Sequence, residues 1–299
     1  MNIQKNVIVS MVGKANVGKS TLTNRLVGKK VAIVSPKPQT TRTRITGVAN
    51  RDGCQFVFMD TPGYHKPRSR LGDFMVKVTT DTVAEVDCAA LVVEPDPTVH
   101  PAEEALLDAI RRGKVPAVLV INKIDTVRRE QLLPVIAAYS ARHSFAAVVP
   151  VSGKTGENLE ILLEELEKFA LEGPQLFPDD MVSDQPERQM VAEIIREKLL
   201  TLLDREVPHG IAVELIKMER EANGVVSVSA TIYCEKKSHK GIIIGGGGAM
   251  LKRTGQLARA DIEALVGGKV YLELWVKVKE GWRNNTYQMR NFGYDGDNA

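Results

Sequence analysis

Cysteine is scarce in this chain and long apolar runs are missing. Cys54, Cys88 and Cys234 are its three cysteines in 299 residues. Odd in number and far apart, they exclude a disulfide framework and a zinc-type spacing. No apolar stretch approaches the ~20 residues that a membrane-crossing helix needs. The start, Met1-Asn2-Ile3-Gln4-Lys5, lacks the apolar core of a signal peptide, so export is not expected. Internal repeats are absent, and the one low-complexity tract is a run of glycines. With 43% hydrophobic and 26% charged residues, disorder is excluded as the dominant state. These features lead us to expect a soluble protein of a reducing, cytosolic compartment, of a length that favours two domains.

Acidic residues are missing from two stretches. The first 51 residues hold ten Lys or Arg and no Asp or Glu, and Lys236 to Ala260 hold six and none. The net charge is only +3. The clustering is either chance on solvated faces or the mark of two polyanions bound at two places.

The first half alternates short apolar runs with helical patterns. Strands are expected at Val7 to Val12, Phe56 to Met59, Ala89 to Val93, Ala117 to Ile121 and Ala147 to Val151. Helices are expected at Lys19 to Val27, Ala102 to Arg112, Glu130 to Ala141 and Asn158 to Leu171. That rhythm is a doubly wound α/β sheet, mostly parallel. Gly173-Pro174 ends it, and an aperiodic stretch rich in Pro, Asp and Ser follows. The spacing therefore predicts a first domain over 1–173, a linker over 174–186 and a second domain over 187–299. The second reads as a helix from Glu187 to Arg205 and strands at Ala212 to Ile216 and Val225 to Tyr233. The glycine run comes next, then a helix from Ala249 to Val266 and a strand from Val270 to Val278. This α-β-β-α-β order is a compact α+β domain.

Gly13-Lys14-Ala15-Asn16-Val17-Gly18-Lys19-Ser20, with Thr21 after it, has the phosphate-loop pattern between a strand and a helix. Its glycines let backbone N–H groups and the helix N-terminus face phosphate oxygens. Lys19 would reach the β- and γ-phosphates, and the Ser20 hydroxyl would ligate Mg2+. Asp60-Thr61-Pro62-Gly63 ends a second strand, so Asp60 can hold Mg2+ through water and the Gly63 N–H can meet the γ-phosphate. Asn122-Lys123-Ile124-Asp125 ends another strand. The Asp125 carboxylate can accept from the ring N–H and exocyclic amine of guanine, a donor pair that adenine lacks. Asn122 would brace the loop and the Lys123 stem would lie over the base. Ser152-Gly153-Lys154 would complete the base pocket through backbone N–H groups. Between loop and Asp60, the basic stretch Pro36 to Arg44 must supply a threonine over Mg2+ and γ-phosphate; Thr41 is preferred and Thr40 is the alternative. A second switch is expected from Asp60 to about Thr79. Tyr64 stands where many GTPases carry the water-orienting glutamine, so slow intrinsic hydrolysis is expected. His65 is either a base or an inert surface histidine. The expected catalytic set is Lys19, Thr41 and Gly63.

With these motifs in place, the chain resembles the Era family of bacterial GTPases over nearly its full length. The phosphate loop, Gln39-Thr-Thr-Arg42 and Asp-Thr-Pro-Gly also suit a wider group that includes a tRNA-modifying GTPase. The second domain decides between them. Lys240 to Arg253 resembles the Era signature of a type II KH domain, and Val276 to Arg283 its closing strand and turn. A Gly-x-x-Gly loop between helices lets an RNA backbone approach closely and clamps about four unpaired nucleotides. Gly245, Gly246, Gly247 and Gly248 supply that loop, with Lys236, Lys237, Lys240, Lys252 and Arg253 around it and Ile244 beside it. Two departures stand out: Gly246 occupies a position where Era-like loops carry lysine, and Ala15 one where the family often has proline.

The resemblance implies a GTP-hydrolysing switch that binds the 3′ end of 16S ribosomal RNA and assists 30S subunit assembly. It also implies peripheral contact with the inner membrane. A monomer is expected. The alternatives are a passive RNA-binding module with a vestigial G domain and a tRNA-modification GTPase. Asn16 either shapes the loop or helps to hold K+ near the phosphates, where it would stabilise charge during phosphoryl transfer.

Overall fold

The computed structural model describes residues 3–294. The outermost residues of both expected domains, 1–2 and 295–299, lie outside the described residues. The elements are β1 (Lys5–Val12), α1 (Lys19–Val27), β2 (Ile45–Arg51), β3 (Cys54–Asp60), α2 (Arg70–Ala84), β4 (Cys88–Val93), α3 (Pro101–Gly113), β5 (Ala117–Ile121), α4 (Leu132–Ser140), β6 (Ala147–Pro150), α5 (Leu159–Glu167) and β7 (Leu171–Glu172). They continue as α6 (Glu187–Leu202), β8 (Ala212–Arg220), β9 (Val226–Cys234), α7 (Lys237–Ile244), α8 (Ala249–Val266), β10 (Val270–Val278) and α9 (Thr286–Asn291).

The large sheet runs β2-β3-β1-β4-β5-β6. Pairings are parallel except for β2, antiparallel on β3, and β7, antiparallel on the first residues of β1. Strands such as β4 (Cys88-Ala-Ala-Leu-Val-Val93) are buried along their whole length, as strands covered by helices on both faces must be. Side chains of odd and even positions enter two different cores. Val7, Val9, Met11, Phe56 and Phe58 pack toward α1 and α5, while Leu91, Val93, Leu119 and Ile121 pack toward α3 and α4. Because all the parallel strands point the same way, the loops after β1, β3, β5 and β6 open at one edge.

The second sheet is β10-β9-β8, with β9 and β10 parallel and β8 antiparallel. Helices α6, α7 and α8 cover one face of it around Ile194, Ile195, Ile232, Ile243 and Ile262. A smaller cluster joins the two halves: Leu71 and Met75 of α2 meet Trp282, Met289 and Tyr294.

Several expectations need correction. The helix expected to reach Leu171 stops at Glu167, because Leu171 and Glu172 pair with Asn6 and Lys5 of β1. β2, α2, α7 and α9 were not foreseen as elements. α2 occupies much of the stretch read as a switch, and Thr79 is buried in it, donating to the Pro62 carbonyl at 3.0 Å. The stretch after Pro174 is not a free tether. Leu176 and Phe177 donate to Gln55 Oε1, Val48 donates to Val182, and Ser183 Oγ donates to Thr46, which fastens it along β2 and β3.

Candidate functional site

Helix α1 is preceded by Gly18 as its N-cap, in the left-handed region at φ 98°, without a side-chain cap and without an acid in its first turn. Its first N–H groups are therefore left for a ligand. Lys19 is buried and donates to the Gly13 and Lys14 carbonyls at 3.0 and 3.1 Å, which curls the loop around the ammonium. Residues Ala15, Asn16, Gly18, Lys19, Ser20 and Thr21 line a cavity of about 320 Å³ roofed by Ile33 to Pro36 and Gln39 to Thr41.

Ser20, Thr41 and Asp60 converge at its base. Ser20 Oγ donates to Asp60 Oδ2 at 2.6 Å, and Thr41 Oγ1 lies 2.9 Å from Ser20 Oγ. Thr40 instead donates to the Lys37 carbonyl at 2.6 Å, so of the two threonines it is Thr41 whose hydroxyl stands beside Ser20. Asp60 is fully buried and its Oδ1 has no hydrogen-bond partner among the described residues. Burial pushes the carboxyl up to about 6, against the pull of Lys19 and hydrogen bonds from Ser20 and Thr41. Burial draws Lys19 down to about 8, with Asp60 opposing. A buried acid with an unused oxygen beside two hydroxyls is an oxygen donor set suited to Mg2+. When bound, Mg2+ would neutralise charge developing on the phosphates.

Gly63 lies against the phosphate loop: a Cβ there would stand 2.6 Å from Ala15 Cα. Tyr64 reaches the loop only by its backbone, donating to the Gly13 carbonyl at 3.1 Å, while its ring packs beside the β4 core. Thr61 Oγ1 donates to the Met11 carbonyl and Pro62 is buried. His65 Nδ1 lies 3.0 Å from the Gly63 carbonyl and must donate to it, so Nε2 accepts from Gln39 Nε2 at 3.1 Å. Both ring nitrogens are thus hydrogen-bonded within the protein.

The residues expected to read the base lie close together. Asn122 Nδ2 donates to the Val17 carbonyl (2.8 Å) and its Oδ1 accepts from the Gly153 N–H (2.9 Å). Ser152 Oγ donates to Asp125 Oδ1 at 2.7 Å. Lys123 Nζ donates to the Asn16 carbonyl and pairs with Glu94, both within 2.7 Å. Ile124 packs against the neighbouring core, and the exposed Lys154 accepts at its carbonyl from Arg25. Asn16 Nδ2 donates to the Pro36 carbonyl at 2.9 Å, tying the loop to its roof.

In the second unit, Gly245 to Gly248 join α7 to α8, and a Cβ on Gly246, Gly247 or Gly248 would meet nothing within 4 Å. Beside them lies a groove of about 440 Å³ between α8 and the edge strand β10. Of the expected RNA contacts, Gly248 and Lys252 line it. Arg253 is exposed on α8; Lys236, Lys237 and Lys240 are exposed at and after the start of α7; Ile244 is half-buried against the core. The sequence reading missed Gln256, Arg259, Tyr271 and Leu274 in this groove. The signal was there: 248, 252, 255, 256 and 259 follow helical spacing from the glycine loop.

A family model described as a 50S ribosome-binding GTPase matches residues 8–123, and one described as a KH domain matches residues 206–283. The chain is 49% identical over 292 residues to GTPase Era of Alkaliphilus metalliredigens, covering 97% of this chain and 99% of the relative. To GTPase Era of Clostridioides difficile it is 48% identical over 293 residues, with the same shares. Among solved structures, Era in complex with MgGDPNP and nucleotides 1506–1542 of 16S ribosomal RNA matches with a TM-score of 0.94 at 38% identity. An Aquifex aeolicus Era variant bound to GDP and AlF4– matches with 0.93 at 39%. Each match covers 97% of this chain and 99% of the other.

Proposed function

The chain belongs to the Era family of GTPases, and from that membership we propose that it hydrolyses GTP with Mg2+ and binds the 3′ end of 16S ribosomal RNA in 30S subunit assembly. The observation that carries this reading is the meeting of Ser20, Thr41 and Asp60 beneath the Lys19 loop, in one chain with an open glycine loop and groove. Lys19 and the first N–H groups of α1 bind the β- and γ-phosphates. Ser20 and Thr41 hold the metal directly and Asp60 through water. The Gly63 N–H faces the γ-phosphate, and Asp125, with Asn122, Lys123 and Ser152 around it, selects guanine. Tyr64 stands where many GTPases carry the water-orienting glutamine, so the unaided rate is slow.

RNA is held in the groove beside Gly245 to Gly248, with Lys252 and Arg259 on its phosphates. In a folded protein, replacing Gly246 and Gly247 by Asp-Asp should abolish binding of a 3′-end oligonucleotide and leave GTP binding intact. Unchanged RNA binding would refute the groove. A passive RNA-binding role is set against the intact Ser20–Thr41–Asp60 cluster; absence of hydrolysis, with and without 30S subunits, would favour it.

Three finer points belong to the same reading. The chain divides at 1–173, 174–186 and 187–299, works as a monomer and is cytoplasmic. Its membrane contact is peripheral; among the described residues no helix is long and apolar enough to cross a bilayer. Asn16 helps to hold K+ beside the phosphates, so hydrolysis should be faster in K+ than in Na+ at equal ionic strength; equal rates would remove the idea.

A further inference from the structure

Helix α6 belongs to the second unit, yet one of its side chains reaches the nucleotide site of the first. Arg196 is fully buried, a position a guanidinium tolerates only when its donors are taken up. Its Nη1 donates to the Gln39 carbonyl at 3.4 Å and its Nη2 to the Thr40 carbonyl. These are the two carbonyls immediately before Thr41. Glu193, one turn earlier on α6, accepts from Nε at 2.8 Å and from Nη2, which fixes the plane of the fork.

The chain beyond Thr41 is held in the opposite sense. Arg42 leaves the switch and enters the second unit, donating to the Ile211 carbonyl at 2.7 Å, the His209 carbonyl at 3.1 Å and the Tyr294 hydroxyl at 3.2 Å. Thr41 thus follows two carbonyls held by one buried arginine of the second unit and precedes another buried arginine that bonds into that unit. Glu197, next to Arg196, also accepts from the Val34 N–H at 2.9 Å, so α6 grips the switch at its beginning and at its threonine. The segment from Lys30 to Arg44 has no regular secondary structure of its own, and its conformation depends on such outside contacts.

We propose that Arg196 is a positioning residue for GTP hydrolysis: by holding the Gln39 and Thr40 carbonyls it sets the Thr41 hydroxyl beside Ser20 and Asp60. The inference rests on the GTPase reading above. The reason is the cost of order. A loop that must fix its backbone at each turnover loses conformational entropy residue by residue, and a hydroxyl misplaced by about 1 Å can slow catalysis up to ~100-fold. Arg196 meets that cost in advance. A guanidinium suits the task because one rigid fork serves two carbonyls and a carboxylate together. Helix α6 is itself anchored, since Lys198 pairs with Asp261 of α8 at 2.6 Å and Lys30 bridges Glu197 and Asp261 at 2.7 and 3.1 Å.

The test uses the full chain, with Arg196→Ala, Arg196→Lys and Thr41→Ala compared by steady-state GTP hydrolysis across a Mg2+ titration and by GDP affinity. Arg196→Ala should lower kcat about tenfold and raise the half-saturating Mg2+ about threefold or more. Its KM for GTP and its GDP affinity should stay within about twofold, because Thr41 serves the triphosphate state. Arg196→Lys keeps the buried charge beside Glu193 but cannot serve both carbonyls, so it should recover part of the loss. If the alanine variant fails to fold, the lysine variant decides, with an expected fall in kcat of about threefold. A lysine variant with wild-type kcat and wild-type Mg2+ dependence would overturn the proposal. So would an alanine variant whose GDP affinity falls in step with kcat while its Mg2+ dependence is unmoved, the behaviour of a mere staple between the units. Thr41→Ala at the wild-type rate would instead overturn the site assignment, which separates the two failures.

Discussion

Replacing Asp125 by asparagine tests the base pocket with the least disturbance of the fold. The surrounding loop has other ties besides this carboxylate: Asn122 bonds Val17 and Gly153, and Lys123 bonds the Asn16 carbonyl. Ser152 Oγ donates to Asp125 Oδ1 at 2.7 Å and itself accepts from the Thr155 N–H at 3.1 Å. An asparagine would keep its oxygen toward that hydroxyl and turn its amide N–H2 to the base. Guanine presents two donors there, so donor would face donor. Losing two hydrogen bonds to a charged acceptor costs GTP and GDP about 2–4 kcal/mol, with some return from residual stacking. At 1.4 kcal/mol per decade this is a loss of roughly 30- to 700-fold in affinity. Xanthine carries a carbonyl in place of the exocyclic amine and should gain correspondingly. Competition of GDP and xanthosine diphosphate against a fluorescent nucleotide at fixed Mg2+ reads both changes. GDP affinity within about threefold of wild type, or no gain for the xanthine nucleotide, would show that Asp125 does not read the base.

Gly246→Lys meets open space at a backbone angle outside the left-handed region; it should tighten RNA binding and steepen the salt dependence by about 0.7–0.9 in log–log slope, measured by titrating an oligonucleotide at three salt concentrations. Trp282 is fully buried, donates to the Gly210 carbonyl at 2.9 Å and has Arg42 5.6 Å from its ring centre. Trp282→Ala should cost about 3–5 kcal/mol and lower Tm by roughly 10 °C, seen by calorimetry; a shift within error would contradict the packing. Burial holds His209 below its usual 6.5, with Arg42 adding to the effect. The unfolded chain therefore takes up a proton near pH 6.5 that the folded chain resists, so this stability is full above that pH and lost as pH falls below it. His209→Gln should flatten the decline of Tm between pH 7.5 and 5.5, and an unchanged slope would remove His209 from the account.

The sequence by itself determined the elements whose causes are local. The helix after the phosphate loop runs from Lys19 to Val27 in the structure as in the periodicity, and α8 and β10 keep the bounds expected of them. Their apolar spacing and flanking glycines are short-range signals. The motifs expected to hold phosphate, metal and base stand out in the sequence for a related reason: each is a few residues long and sits at a strand end, where the parallel sheet brings its loops together.

What the tertiary structure decided lies in contacts between distant residues. Thr40 and Thr41 are chemically alike and adjacent, and only the approach of Ser20 distinguishes them. Nothing in the helical spacing of 187–205 singles out Arg196; its burial is set by carbonyls 156 and 157 positions away that receive its donors. β7 pairs only because β1 has backbone groups to offer below the edge of β4. β2 follows the basic loop and α2 lies within the stretch read as a second switch, and packing on β3 and beside α3 orders them. Burial of a charge or choice of a strand partner is settled by what the whole chain places nearby, and no window of neighbouring residues contains that.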